Sequence, residues 1–384
     1  MTAATKLGGA LKALAKVCVP RPLHPLMRRL RQRVEAYRHR EDPYAARLQF
    51  EVASYTACQD SNDLPPIFHY WTNAHVVPML APFGFSNAIE FFCVYTSRAC
   101  ARTPGRSIRI ASVGAGDCAS EVQVARRLVD AGVTNFRFEC VDVNPSVLER
   151  GRAAAAAVGV EGFFAFTATD LNAWAPSGQY DLVLAIQFLH HVVELERLFA
   201  TVRRVLAADG LFLIDDMVGR NGHRRWPEAL AVVEELWKEL PERYRFNHKT
   251  QRLDAQFDDI DWSGSGFEGV RAQDIMPLLL RHFHFEFAFG FANVIDPFVD
   301  RAYGGNFDPA SEWDRAFIDR VHALDMAEIE SGRLKPTHML AALSTHPPGR
   351  VTVYKHLTPE FVTRWPERGP WRRALRGPRS APRA

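Results

Sequence analysis

The chain has 384 residues, 47% hydrophobic and 24% charged, with a formal net charge of +3, enough to bury a full core in one large or two smaller domains. No window holds the roughly 18 uninterrupted apolar residues of a membrane-spanning helix, and no signal-peptide core precedes a small-residue cleavage site, which reads against secretion. The six cysteines (Cys18, Cys58, Cys93, Cys100, Cys118, Cys140) form no CxxC pair and no metal-ligand spacing with histidine, so they read as reduced structural thiols in a cytoplasmic protein.

Charge is unevenly spread. Residues 1–34 hold eight Lys/Arg and no acid, and residues 364–384 hold seven Arg against Glu367 alone, leaving 32 basic and 43 acidic residues between them, or about −11. Leu7, Leu11, Leu14 and Cys18 recur at helical spacing beside Lys6, Lys12 and Lys16. Such a helix can lie on an anionic membrane surface, which would place the protein peripherally at the inner face of a membrane; a solvated helix is the commoner use of such a run. An Arg-rich, acid-poor start is also that of an organelle transit peptide.

In chain order, residues 1–45 read as a basic arm broken by Pro20, Pro22 and Pro25, and residues 46–106 as a helical extension that covers the site, with aromatic clusters at 68–71 and 90–95. From 107 to 346 apolar strands alternate with helices. Strands are expected at 108–113, 136–143, 163–170, 180–186, 210–216, 285–292 and near 339–346, with helices at 274–283 and near 311–330. That rhythm predicts an α/β fold with a doubly wound, mostly parallel sheet covered on both faces. Residues 217–270 interrupt it as an insertion or substrate lid, and 347–384 form a basic tail.

Four landmarks carry the chemistry. In SVGAGDCASEV (112–122), Gly114, Ala115 and Gly116 sit where the first strand turns into a helix, and the missing side chains let a ligand approach backbone amides. Ser120 and Gln123 form a capping-box pattern at that helix. The glycines match G-x-G-x-x-A, which dinucleotide sites share. Asp142 with Val143 closes the second strand about 26 residues beyond Gly116, where a carboxylate accepts hydrogen bonds from two ribose hydroxyls. Asp170 with Leu171 ends the third strand, placed either to accept from an adenine amine or to serve as a turn aspartate. The fourth is YDLVLAIQFLHHVVELERLFATVRRVLAADGLFLIDD (180–216), in which Leu195, Leu198, Phe199, Val202 and Leu206 mark one helix face and Asp209-Gly210 turns it into a strand.

In this order those motifs resemble the class I S-adenosylmethionine-dependent methyltransferases, strongly over residues 107–217 and loosely to 346. The resemblance implies a seven-stranded Rossmann-like methyltransferase fold and S-adenosyl-L-methionine as cofactor. Carried over by position, Gly114 and Gly116 line its methionine part, Asp142 the ribose and Asp170 the adenine, while Gln187 and Phe188 lie near the sulfonium. Two departures stand out: Ser112 replaces the usual acid before the first glycine, and Cys118 the usual third glycine.

Methyl transfer needs no covalent nucleophile, only positioning and a dry pocket. A hydroxyl acceptor does need its proton removed, and His190 and His191 are the candidate bases. Acceptor recognition is expected from His223, Arg224, Arg225 and Trp226 after the fifth strand, the arginines having the acidic run 254–261 as an alternative partner. His69, Tyr70 and Trp71 offer a stacking surface or a core cluster. The expected acceptor is a small molecule or glycan-like hydroxyl, with no metal and no DNA partner; oligomeric state is not legible. A nicotinamide oxidoreductase shares the glycines and Asp142 but leaves the 180–216 block unexplained. An RNA or protein methyltransferase would use the basic ends, and a cofactor-binding pseudo-enzyme would account for Ser112 and Cys118.

Overall fold

The computed structural model describes residues 44–57, 63–171, 174–264 and 266–366. The basic arm, the helical pattern at 7–18, Cys18, Cys58 and the chain beyond 366 lie outside the described residues. The chain divides into residues 1–49 and a compact body from Phe50 onward. Helix α1 (Tyr44–Ala57) crosses that division, and only its part from Phe50 belongs to the body.

The body is built on strands β1 (Ile108–Val113), β2 (Phe136–Asp142), β3 (Phe164–Ala168), β4 (Tyr180–Ile186) and β5 (Leu206–Met217). A short ribbon, β6 (Phe246–Asn247) with β7 (Arg252–Leu253), comes next, followed by β8 (His284–Phe291), β9 (His338–Ser344) and β10 (Thr352–Val353). The main sheet has the order β10-β8-β9-β5-β4-β1-β2-β3. Only β9 pairs antiparallel, against β5 and β8. This is the Rossmann-like methyltransferase arrangement, with eight strands where seven were expected. The eighth, β10, is a two-residue edge strand beside β8 that arises from residues assigned to the tail, too short to stand out as a strand.

The strands read as unbroken apolar runs because both faces are covered: all of β1 except Arg109 is buried. Helices α2 (Ala88–Arg102), α3 (Ala119–Asp130), α4 (Pro145–Ala157), α5 (Leu195–Val205), α6 (Pro227–Glu239), α7 (Ala272–His282) and α8 (Glu312–Glu330) supply much of that cover. In α5 the stripe Leu195, Leu198, Phe199, Val202 and Val205 is buried as the period predicts, whereas Leu206 already starts β5. Residues 207–210 then bulge, so that Tyr180 pairs with Leu206 but Leu182 with Leu211.

The segment Pro66–Arg102 is apolar enough over 18 residues (mean hydropathy 1.4) to cross a membrane by length and composition, although its apolar residues do not form an uninterrupted run. It is not one straight helix. Gly84 takes a left-handed φ of 82°, and Asn87 caps α2 by accepting from the Glu90 N–H. Its apolar residues Ile67, Trp71, Leu80, Phe91 and Phe92 are buried in the core.

The chain runs from β1 outward to β2 and β3, then returns to β4 and β5 on the other side of β1. That reversal opens a crevice beyond the carboxyl ends of β1 and β4. Gly114 and Gln187 follow those two ends directly.

Candidate functional site

A cavity of about 1010 Å³ occupies this crevice, lined at one end by Gly114, Ala115, Gly116, Asp142, Val143, Gln187 and Phe188. The turn after β1 has three left-handed residues, Gly114 (φ 66°), Gly116 (φ 53°) and Cys118 (φ 56°). A Cβ on Gly114 would lie 1.9 Å from the Phe188 ring, whereas one on Gly116 would meet nothing within 4 Å. Gly116 thus leaves a cradle open to a ligand. The capping box does not form: α3 starts at Ala119, so Ser120 is already in its first turn, and Asp117 Oδ1 accepts the Ala119 N–H instead. The winding of the turn brings the helix start forward. Cys118, at the third-glycine position, is fully buried, and its thiol lies where Gly151 of α4 leaves room for it.

Asp142 holds this end together. Its Oδ2 accepts the Gly116 N–H at 2.9 Å and its Oδ1 the Asn144 N–H at 2.8 Å, and each oxygen keeps a further lone pair. Burial raises its pKa, opposed by those two N–H groups.

The acid missing at Ser112 is supplied by Glu121, one turn into α3. Its Oε1 accepts the Ser112 hydroxyl at 2.5 Å, it is 2% exposed, and it lines the cavity. Among the described residues no basic side chain pairs with it. Burial therefore pushes its pKa up to about 7, against the Ser112 and backbone hydrogen bonds. A raised carboxyl favours folding fully below the ordinary value of 4.5, and that contribution is lost as pH rises through about 7. Glu121→Gln is expected to gain on the wild type by up to about 3 kcal/mol between pH 5 and 8 in urea unfolding without cofactor. A constant difference across that range would refute the buried-acid account.

At the other end of this turn lies an imidazole–carboxylate cluster. Gln187 takes a strained left-handed φ of 50°, its N–H donating to the Asp215 carbonyl at 2.7 Å. The chain then enters a short 3₁₀ turn, Leu189–His191. Fully buried Asp216, near the end of β5, anchors it: Oδ2 accepts the Phe188 and Leu189 N–H at 2.8 and 2.6 Å, and Oδ1 accepts the Met217 N–H at 2.8 Å and His190 Nδ1 at 2.6 Å. His191 Nδ1 lies 2.6 Å from Glu51 Oε1 of α1, whose Oε2 accepts the Phe267 N–H at 3.0 Å. Carboxylates only accept, so both rings carry the proton on Nδ1 and turn Nε2 toward Glu268. His190 Nε2 is 3.6 Å and His191 Nε2 3.7 Å from that carboxylate, and His223 Nε2 is 2.6 Å from it. Burial works against a second proton on His191, but the Glu51 hydrogen bond and the Glu268 charge prevail and raise its pKa to about 8. Burial lowers that of His223, which therefore stays neutral and donates Nε2–H to Glu268.

The remaining sequence candidates divide. His223 and Arg225 line the cavity, as does Trp71. Arg225 is buried there, with Nη1 2.8 Å from Asp296 Oδ2. The others do not line it. Arg224 Nε instead meets Asp259 Oδ2 at 3.3 Å, the acidic run having claimed it, and the Arg364 guanidinium covers the Trp226 ring at 4.1 Å. His69 is exposed, and the Tyr70 hydroxyl donates to Asp319 at 2.9 Å, because the helical turn sends Trp71 alone inward. Asp170 and Leu171 follow β3 outside the cavity lining. Glu51, Glu121, Asp216 and Glu268 were not singled out in the sequence. Only Asp216 left a trace, as one of two acids ending a strongly apolar strand.

Fold and site together define an α/β protein whose strand-end cavity fits an adenosyl cofactor: an open glycine cradle, a carboxylate with free lone pairs and an unpaired buried acid suited to an ammonium. Residues 112–212 match the family described as methyltransferase domain. Residues 112–212 thus carry a methyltransferase domain, and the residues lining the cavity fit S-adenosylmethionine as its cofactor. No curated protein matches the chain. Among solved structures, a SAM-dependent methyltransferase from Geobacter sulfurreducens with S-adenosyl-L-homocysteine is 12% identical over 77% of this chain and 98% of its own, with TM-score 0.37. The DszA carbon methyltransferase is 23% identical over 31% of this chain with TM-score 0.27, and the StiE O-MT is 11% identical over 65% of this chain and 77% of its own with TM-score 0.36. The chain spans about a third (32%) of the length of the DszA structure.

Proposed function

We propose that this protein transfers the methyl group of S-adenosylmethionine to a hydroxyl of a small-molecule or glycan-like acceptor. The observation that carries this reading is a single cavity that joins the adenosyl-reading residues to a buried imidazole–carboxylate cluster. The cofactor supplies an electrophilic methyl on a sulfonium. Glu121 receives its ammonium, Gly116 gives its methionine part room, and Asp142 holds the ribose. The acceptor lies among Phe68, Trp71, Phe289, Phe291 and Leu340, which exclude water. Its hydroxyl meets His190 Nε2, which draws off its proton, with His191 and Glu268 beside it.

The first test is a calorimetric titration with S-adenosylhomocysteine and, separately, with NADH. Binding of the first alone supports the reading, and binding of NADH alone replaces it with hydride chemistry. His190→Asn and His191→Asn are expected to lower turnover by about 10²-fold each while S-adenosylhomocysteine still binds. Undiminished turnover in both would remove the cluster from the reaction. The basic termini give a reason to expect a peripheral membrane acceptor; deletion of residues 1–34 is expected to weaken binding to anionic vesicles and leave cofactor binding intact.

A further inference from the structure

The arrangement around Glu268 poses a charge problem. Two imidazoles present Nε2 lone pairs to a carboxylate, and all three ligand atoms of His190, His191 and Glu268 lie within 4.8 Å of one another. Such a focus is satisfied either by a proton on an imidazole or by a bound cation, and the Tyr55 hydroxyl also lies 3.4 Å from His191 Nε2. We propose that His190 Nε2, His191 Nε2 and Glu268 bind a divalent first-row transition cation of the Zn²⁺ class, with an open coordination position toward the cavity.

Distances support this. With bonds of about 2.1 Å, neighbouring ligand atoms of a tetrahedral site stand about 3.4 Å apart. His190 Nε2 stands 3.6 Å from Glu268 Oε1 and His191 Nε2 3.7 Å from Glu268 Oε2, so the carboxylate meets one imidazole with each oxygen. Glu268, whose side chain is 39% exposed, has the freedom to close on the ion.

The surroundings form the independent argument. A metal-bound histidine donates its other ring N–H to a carboxylate or carbonyl, and a metal-bound carboxylate accepts a hydrogen bond of its own. All three supports are in place. His190 Nδ1 is held by Asp216 and His191 Nδ1 by Glu51, each at 2.6 Å. Glu268 is held by His223 Nε2, also at 2.6 Å and too close to be a fourth ligand. His223 reaches that position from a left-handed φ of 55°, behind Gly222 at 68°, a strain for which orienting Glu268 supplies a reason.

Adjacent residues seldom converge. His190 and His191 do so, with ring centroids 4.3 Å apart, because two carboxylates from different elements pull their Nδ1 atoms away from the focus. Two imidazoles with one carboxylate suit a borderline transition ion and disfavour Mg²⁺ or Ca²⁺, which take oxygen ligands. Three protein ligands and an open position describe a site that admits a substrate oxygen. The inference rests on the acceptor reading above and changes the part the imidazoles play. With their Nε2 lone pairs on the cation they hold it and are not bases, while the cation lowers the pKa of a bound hydroxyl, whose proton leaves to solvent.

The test uses untagged full-length protein, stripped with chelator and titrated with Zn²⁺ by calorimetry and with Co²⁺ by visible absorption, with S-adenosylhomocysteine titrated in parallel. One equivalent of metal is expected, with the d–d bands of a low-coordinate Co²⁺ site. Glu268→Gln and His191→Ala should weaken metal binding at least tenfold, and Glu51→Gln by about 10–100-fold through the support it removes. Glu268→Gln should bind S-adenosylhomocysteine as the wild type does, which shows that it folds. If the wild type binds S-adenosylhomocysteine but no stoichiometric metal, or Glu268→Gln keeps the Co²⁺ spectrum, the metal site is overturned while methyl transfer stands. Metal binding without S-adenosylhomocysteine binding overturns the methyl-transfer reading instead.

Discussion

Asp216→Ala is expected to destabilise the protein by about 3–5 kcal/mol in urea unfolding, the range for removing one partner from a buried charged network. The side chain is fully buried and accepts the Phe188, Leu189 and Met217 N–H groups and His190 Nδ1, all between 2.6 and 2.8 Å. Alanine leaves those buried donors without their acceptor. Their desolvation cost adds to the loss of the anchor between β5 and the 3₁₀ turn. Asp216→Asn is expected to fall between, since one side of an amide can accept while its NH₂ opposes the remaining donors. In whichever variant stays folded, turnover should drop further than S-adenosylhomocysteine affinity, because Asp216 fixes His190 and touches no cofactor-facing glycine. A loss below about 1 kcal/mol would mean that water reaches those donors and that the turn is held by other contacts.

Asp142→Ala is expected to weaken S-adenosylhomocysteine binding by about 10²-fold or more, from two charge-assisted hydrogen bonds worth about 1.5–3 kcal/mol each. The same change releases the Gly116 and Asn144 N–H groups, so some of the loss comes from a loosened turn. Asp142→Asn separates the two effects: it keeps the shape and weakens the ribose contact. Asp170→Ala, at a residue outside the cavity lining, should cost no more than about tenfold. If Asp170 proved the more sensitive of the two, the adenosine would lie in a different orientation. Calorimetry on the three variants decides it.

Local sequence was informative where a chemical pattern and a structural period coincide. IRIASV reads as β1 because a strand covered on both faces has no polar alternation to break it, and YDLVLAI reads as β4 for the same reason. The α5 stripe was visible because the 3.6 period sets its buried face. Gly114, Gly116 and Asp142 were found because a turn with positive φ and a carboxylate closing the next strand are both local demands. Where two uses of a residue type compete, the sequence was ambiguous. Arg224 is equally suited to a ligand and to the acidic run, and the run holds it; Trp226, expected at the acceptor, lies under the Arg364 guanidinium instead. Ser112 and Cys118 depart from the pattern of the resemblance, and the structure places Glu121 as an acid beside the first and the space over Gly151 for the thiol of the second.

By itself, then, the sequence determined the alternation of strands and helices, the glycine turn with Asp142, and the pairing of two histidines after β4. These follow from neighbouring residues along one element. Only the tertiary structure decided what the histidines face, because Glu51, Asp216 and Glu268 come from α1, β5 and the stretch before α7, between 26 and 216 positions apart from the groups they hold. The energy that places those carboxylates is the cost of leaving buried N–H groups unpaired, and that cost exists only once the elements have packed and excluded water.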